Sequence, residues 1–151
     1  MSEPLLVKVK RLRVEDADVP LPRYTSEAAA GMDLHAACTS PLTIPPGGRA
    51  KVPTGFAVEL PSGYEGQIRP RSGLADKHGV TLVNSPGTLD ADFRGEVCVL
   101  LINLGSAPYV VERKARIAQL VVAPVSRVRV AEVETLDSTS RGSGGFGSSG
   151  S

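Results

Sequence analysis

Apolar and polar residues alternate over short stretches that glycine and proline interrupt, a period of two rather than 3.6. Residues 7–10, Val-Lys-Val-Lys, predict a first strand. Val52, Phe56, Val58 and Leu60 predict a strand over 52–60, bent at its Thr-Gly pair. Further strands are predicted at 64–68, 80–83, 97–104, 109–111, 117–122 and 128–133. Residues 18–23, with two prolines, read as extended loop, and 44–48 as a Pro-Gly turn. Only residues 70–79 read as helix. Ser72 is a natural N-cap there, and Gly79 suits the left-handed position beyond the last turn. Roughly nine or ten short strands with one helical turn predict an all-β, jelly-roll-like antiparallel β-sandwich.

The stretch 83–97, Val-Asn-Ser-Pro-Gly-Thr-Leu-Asp-Ala-Asp-Phe-Arg-Gly-Glu-Val, is framed by the apolar runs 80–83 and 97–104. Pro86-Gly87 marks a turn, since proline fixes φ and glycine accepts φ > 0, and Gly95 offers a start free of a side chain. The stretch reads as a β-hairpin with a wide mouth. Backbone N–H and C=O groups left unpaired at such a mouth can bond the edge of a planar ligand. Phe93 can lie against the ligand's apolar face, and Asp90 or Asp92 can act on it. The plainer reading is a solvated turn with surface acids, and the stretch alone favours that one.

With 151 residues the chain is long enough for one domain with a real core. Aromatics are 4% and tryptophan is absent, so that core must be aliphatic. Beyond residue 137 the composition collapses to Ser and Gly with one Thr, one Arg and one Phe, which cannot bury enough apolar surface to order itself. The expected organisation is a sandwich domain over 1–137 and a flexible arm over 138–151. A net charge of +1 provides no broad basic face, so nucleic acid is not an expected partner. No apolar run approaches membrane-spanning length, and no membrane partner is expected. Cys38 and Cys98 are too few for a disulfide framework, and Cys98 within its apolar run reads as a small buried hydrophobe. Leu5-Leu6-Val7 is too short for a signal segment, so a cytoplasmic setting is expected.

Candidate chemistry is scattered along this frame. Arg71-Ser72-Gly73 opens the helical turn, where free N–H groups, a guanidinium and a hydroxyl make a phosphate seat; taken alone, the segment favours the plainer reading of a capped helix with a surface arginine. Gln119 lies among apolar neighbours, either as a core amide bonded to backbone or as a holder of water or phosphate. Asp33 is a turn acid or a metal-site acid of the kind that holds Mg²⁺ through water beside substrate phosphates. The tail Arg141-Gly-Ser-Gly-Gly-Phe-Gly-Ser-Ser-Gly sets one cation and one ring among glycines, suited to wrapping a polyanion and capping a flat base. His35 and His78 have no ligand spacing and read as structural or surface residues. No zinc pattern, nucleophile elbow or Walker loop is present in the sequence.

Taken in order, five segments resemble the five motifs of the trimeric deoxyuridine triphosphate nucleotidohydrolases (dUTPases): 30–36 (Ala-Gly-Met-Asp-Leu-His-Ala), 70–78 (Pro-Arg-Ser-Gly-Leu-Ala-Asp-Lys-His), 87–95 (Gly-Thr-Leu-Asp-Ala-Asp-Phe-Arg-Gly), 116–120 (Arg-Ile-Ala-Gln-Leu) and 141–150. Each motif is weakly specific, whereas five in order across nearly the whole chain are strongly so. Phe93 stands where the family usually has Tyr, Ser149 where Thr is common, and Asp76 where an apolar residue is frequent. None of these removes a catalytic group, although Phe93 lacks a hydroxyl.

The resemblance implies a homotrimer with shared active sites that converts dUTP and water to dUMP and pyrophosphate with Mg²⁺. By motif, it implies that Asp90 is the general base and that Asp33 holds Mg²⁺ through its waters. Arg71, Ser72 and Gly73 are implied to bind phosphates, and Gln119 the α-phosphate or attacking water. The backbone from Asn84 through Gly87, Thr88 and Leu89 to Asp90 is implied to read uracil, with Phe93 against the deoxyribose. Arg141 is implied to clamp the γ-phosphate, Phe146 to cap uracil, Ser148 and Ser149 to bind phosphate, and Gly147 to contact the substrate beside them. Two relatives of this fold would act differently: a dCTP deaminase, which needs a glutamate-centred site, and a non-catalytic nucleotide-binding β-sandwich.

Overall fold

The computed structural model describes residues 5–148 and Gly150. Eleven strands are described: β1 (Lys8–Arg11), β2 (Met32–His35), β3 (Leu42–Ile44), β4 (Arg49–Pro53), β5 (Phe56–Glu59), β6 (Tyr64–Arg69), β7 (Val80–Leu82), β8 (Gly87–Leu89), β9 (Cys98–Asn103), β10 (Tyr109–Val111) and β11 (Arg116–Pro124). One helix, α1 (Ser72–His78), and a 3₁₀ turn, Val14–Asp16, accompany them. A four-stranded sheet in the order β2-β11-β6-β8 and a three-stranded sheet β4-β9-β7 form the main layers, with the pairs β1-β5 and β10-β3 beside them. The described pairings are antiparallel, and the fold is the expected jelly-roll-like sandwich. The core between the layers is aliphatic: Leu34, Val52, Val97, Val99, Leu101, Val111 and Ile117 are sealed from solvent around Phe56. Among the described residues no helix is long and apolar enough to cross a membrane.

Several expectations need correction. The predicted strand over 52–60 is two strands, because Gly55 takes φ = 81° and turns the chain from β9's neighbour β4 into β1's neighbour β5. Strands β2 (Met-Asp-Leu-His) and β3 (Leu-Thr-Ile) form where none was predicted, although each alternates apolar and polar residues as β1 does. Residues 128–133 alternate as a strand should, but no strand is assigned there, and Val128 and Val130 are more than four-fifths exposed. An apolar face needs a partner strand, and the chain offers none at that position. Ser72 is the first helical residue rather than the N-cap, which is Arg71 in extended conformation. Gly79 does take the left-handed turn beyond α1, with φ = 67°. Cys98 is only half-buried: strand alternation sends Val97, Val99 and Leu101 inward and Cys98 to the other face.

The stretch 83–97 is a hairpin mouth in one respect only. Strands β7 and β9 pair with each other, Val80 opposite Asn103 and Leu82 opposite Leu101. Between them the chain leaves for the other sheet, where β8 pairs with β6, Thr88 opposite Gln67 and Leu89 opposite Gly66. Gly87 is therefore a buried strand residue without positive φ, set against the Asn84 amide. The returning limb is fastened to the β4–β5 turn. Val97 N donates to Phe56 O at 2.9 Å, and Thr54 N to Val97 O at 3.2 Å.

Ion pairs tie the 3₁₀ turn to this frame. Asp16, 1% exposed, accepts Arg13 Nε at 2.6 Å and the Arg113 guanidinium at 3.3 Å. Arg13 also forks onto Glu96, Nη2–Oε1 2.6 Å and Nη1–Oε2 3.1 Å. The Arg13 hydrogen bond, ahead of a bond from Gly55 N and against the cost of burial, holds the Glu96 carboxyl below its ordinary value of 4.5. In the unfolded chain Glu96 takes up a proton near that ordinary value, and in the fold only at lower pH. Its stabilisation is therefore complete above the ordinary value and disappears as pH falls through the folded one. The thermal midpoint should drop on acidification below about pH 4.5. Glu96→Gln should flatten that drop, as differential scanning calorimetry from pH 7 to pH 3 would record.

Candidate functional site

Strand β11 carries the centre of the site. Gln119 lies opposite Asp33 on β2 and opposite Arg69 on β6. Leu34, Ala118, Leu120 and Ile68 point into the core, so Asp33, Gln119 and Arg69 face outward. The β2–β11 register slips between Arg116 and Ala118, and Ile117 and Ala118 are both buried. Without that bulge Arg116 would follow Ala118 and Leu120 toward the core. With it, Arg116 joins Asp33 and Gln119 outside.

Asp33 Oδ1 lies 3.1 Å from Arg71 Nε, and Oδ2 lies 3.5 Å from Arg116 Nη1. Arg71 Nη1 also donates to the Arg116 carbonyl at 3.4 Å. Gln119 Nε2 donates to Pro70 O at 3.0 Å, which anchors the strand-to-helix turn. Gly31 leaves room for the Gln119 amide, whose oxygen would have to shift to admit a Cβ there. The Arg71 carbonyl accepts from Leu74 N and Ala75 N at 3.2 and 3.1 Å. The N–H groups of the first helical residues therefore have no partner inside α1. A cleft of about 360 Å³ results, lined by Thr25, Gly31, Asp33, Arg71, Ser72, Gly73, Arg116 and Gln119 among others. Its two guanidiniums against one carboxylate, with N–H groups between, suit an oxyanion larger than one phosphate.

His35 shares this face two residues from Asp33. Its Nδ1 is buried with no hydrogen-bond partner, and burial pushes its pKa down against the pull of Asp33. Sequence reading assigned no functional part to Arg116, which lines this cleft, or to His35, which does not line it. An arginine heading an apolar strand is a signal for the first, and nothing in the sequence flags the second.

Asp90 is elsewhere. With Thr88, Asp92 and Arg94 it lines a second cleft of about 810 Å³, walled by the 60–65 turn, Val125 and Arg127. No residue lines both clefts. Strand alternation explains the placement: Gly87 and Leu89 are buried, and Thr88 and Asp90 point out. A contact from Leu89 or Gly87 to a ligand would therefore be made by backbone. Asn84 is exposed at the mouth, and Ser85 and Pro86 share a shallow third cleft with Gln67, Arg69 and Gln119. Phe93 is 42% exposed, its N–H bonded to Asp90 O at 3.1 Å.

Among the described residues, those of the arm line neither cleft. Arg141 Nε bonds its own Gly144 O at 2.9 Å, Phe146 is fully exposed, and Ser148 N bonds Gly145 O at 3.0 Å beside Gly147. Ser149 lies outside the described residues. One chain thus unites Asp33, Arg71, Ser72, Gly73 and Gln119, and holds apart from them Asp90, Thr88, Arg141, Phe146, Gly147 and Ser148.

The family model described as dUTPase matches residues 17–150. The deoxyuridine 5'-triphosphate nucleotidohydrolase of Rhizobium etli (strain CIAT 652) is 63% identical over 132 residues, 86% of this chain and 85% of the relative. The protein of the same name from Methylocella silvestris is 56% identical over 152 residues, 99% of this chain and 94% of the relative. Among solved structures, a dUTPase of Staphylococcus bacteriophage 80alpha with dUpNHpp matches with TM-score 0.85 and 26% identity, covering 97% of this chain and 99% of that one. A phage phi11 dUTPase, described for its coordination of a structural Mg(II) ion, matches in fold with TM-score 0.77 and 21% identity, covering 88% of this chain and 99% of that one.

The charge balance of the first cleft has a measurable consequence. Inorganic pyrophosphate should bind there with an affinity that falls as salt rises. Arg71→Ala should weaken that binding by about 1.5–3 kcal/mol, the range for hydrogen bonds to charged groups. Isothermal titration at two ionic strengths checks both.

Proposed function

The chain belongs to the dUTPase family, and from that premise we propose how its own residues divide the work. It is a dUTP diphosphatase, hydrolysing dUTP to dUMP and pyrophosphate. Water oxygen bonds to the α-phosphorus, the bond from that phosphorus to the bridging oxygen breaks, and pyrophosphate leaves. The attacking water must approach a polyanion, so cations and a base are both required. Arg71, Arg116 and the N–H groups at Ser72 and Gly73 take the phosphates, and Gln119 orients the α-phosphate or the water. Asp90 accepts the proton.

The observation that carries this division is the separation of Asp90 from the phosphate cleft within one chain. A working site then needs Asp90 from a second copy, and the exposed arm brings Arg141 and Phe146 from a third. The exposed apolar alternation at Val128 and Val130 supports such an assembly, because a strand without a partner in its own chain can find one in another. The proposed unit is a homotrimer with shared sites.

Mg²⁺ fits as a companion of the substrate. Among the described residues no cluster of three or more His, Cys, Asp or Glu stands ready for a metal. Asp33 is the one carboxylate lining the phosphate cleft, and two guanidiniums already flank it. That donor set suits an ion carried on phosphates with its waters bonded to Asp33, and does not suit a caged one. When bound, Mg²⁺ offsets phosphate charge.

Pyrophosphate release from dUTP, dTTP, dCTP and UTP, with and without Mg²⁺, tests this reading. Hairpin backbone that pairs with the uracil edge rejects cytosine by mismatch and thymine by its methyl group, and Phe93 leaves little room for a ribose hydroxyl. Comparable kcat/KM for dUTP and any competitor would sink it. Asp90→Asn keeps shape but accepts no proton. Its turnover should fall by about 10²–10⁴ with dUTP binding retained, and near-normal kcat would move the base to Asp92. Shared sites predict complementation as well. Asp90→Asn and a variant lacking residues 141–151, each inactive, should recover about a quarter of normal activity after equal mixing, unfolding and reassembly. No recovery despite subunit exchange confirmed by mass would rule out the three-chain site.

A further inference from the structure

From Asp90 to Gly95 the hairpin's returning limb has no ladder partner. Its internal bonds are local: Phe93 N to Asp90 O, and Arg94 Nη1 to the carbonyls of Ala91 (2.7 Å) and Phe93 (3.1 Å). These close the turn without fixing it to the sandwich. Arg94 also approaches Glu59 at 4.0 Å, but both side chains are about half exposed, and such a pair holds little. On the Asp90 side the limb is anchored by the β8–β6 ladder, where Leu89 pairs with Gly66.

On the Phe93 side the first firm anchor is Glu96. Its Oε1 accepts Gly55 N at 2.9 Å and Arg13 Nη2 at 2.6 Å, and its Oε2 accepts Arg13 Nη1 at 3.1 Å. The guanidinium is itself held from behind by Asp16, 1% exposed, through Nε at 2.6 Å. A two-point fork fixes orientation as well as distance, which a single contact does not. Gly95 lies between this anchor and the ring. A Cβ on Gly95 would come within 2.6 Å of Phe93 Cζ, so the ring rests on the bare α-carbon. Phe93 has no hydroxyl with which to choose its own orientation. Its ring rests on Gly95, and Gly95 adjoins Glu96, whose side chain adds a clamp ahead of the Val97 backbone bonds to Phe56 and Thr54.

We infer that Glu96, clamped by Arg13, is a positioning residue that seats the Phe93 ring and so sets how strictly the site distinguishes deoxyribose from ribose. The inference rests on the reading above that Phe93 lies against the sugar. Asp90, held separately through β8, keeps its place when the clamp is released. Discrimination should therefore fall while turnover of the preferred substrate survives.

Two variants release the clamp in different ways. Glu96→Gln keeps an acceptor for Gly55 N and loses the charged fork. Arg13→Lys keeps the charge toward Asp16 and loses the geometry. Each is assayed for kcat and KM with dUTP and with UTP, and amide exchange over residues 93–96 is followed by mass spectrometry without nucleotide. The expected result is exchange over 93–96 faster by about tenfold or more with β9 unchanged. The ratio of kcat/KM for dUTP to that for UTP should fall about tenfold or more, with kcat on dUTP within about threefold. Unchanged exchange in both folded variants overturns the inference whatever the enzyme does. So does faster exchange with an unaltered ratio, or a ratio that falls only in step with kcat on dUTP. Should Glu96→Gln fail to fold, Arg13→Lys decides alone. If the unaltered protein does not prefer dUTP over UTP, the reading of Phe93 has failed, and exchange still reports whether the clamp seats the limb.

Discussion

The site depends first on the register of β11. That strand pairs on one side with β2 and on the other with β6, and Gln119 is paired on both. Side chains alternate across a strand, so a slip of one residue would turn Gln119 into the core and Leu120 out of it. The aliphatic core forbids that slip: Leu120, Ala118, Leu34 and Ile68 must all be inside. The same burial that stabilises the sandwich therefore aligns Asp33 with Gln119 across two strands. The bulge before Ala118 is the one departure from strict alternation, and it delivers Arg116 to the polar face.

Charge in the Arg71–Arg116 cleft is arranged on that face. Asp33 lies between Arg71 and Arg116, which orients both guanidiniums before any anion arrives. Orientation in advance lowers the ordering cost on binding. An arginine pair left without Asp33 would repel itself, and a second carboxylate would neutralise the cleft. One acid between two bases leaves a net positive cleft with fixed geometry.

A second centre of order lies at Asp16. A carboxylate this deeply buried is costly unless paired, and Arg13 and Arg113 pair it. Arg13 reaches the foot of the limb that carries Phe93. Arg113 reaches Asp18 and the Glu15 carbonyl, and it lies in the turn just ahead of β11. One buried acid thus ties the hairpin's return and the entry to β11 to the same 3₁₀ turn.

Much of this was legible from residues alone. Period-two patterning with almost no aromatics sufficed for an aliphatic all-β sandwich, because burial of one strand face leaves that pattern in any strand long enough to show it. Arg71-Ser72-Gly73, Gln119 and Asp33 were legible as candidates because each is costly or pointless where a structural residue would serve. Tertiary structure decided the rest. The break at Gly55, the unpaired 128–133 segment and the transit of 83–97 through the opposite sheet all turn on which strands meet, and a local pattern carries no record of its partner. The outward turn of Arg116 rests on a bulge, and the separation of Asp90 from the Arg71–Arg116 cleft rests on register, since Leu89 lies opposite Gly66 on β6 while Gln119 lies opposite Arg69 at the other end of that strand. The amino-acid sequence by itself determined which groups are available as candidates for the chemistry. Only the folded chain decided which of them can reach one another, because that is a matter of long-range pairing set by the shared core.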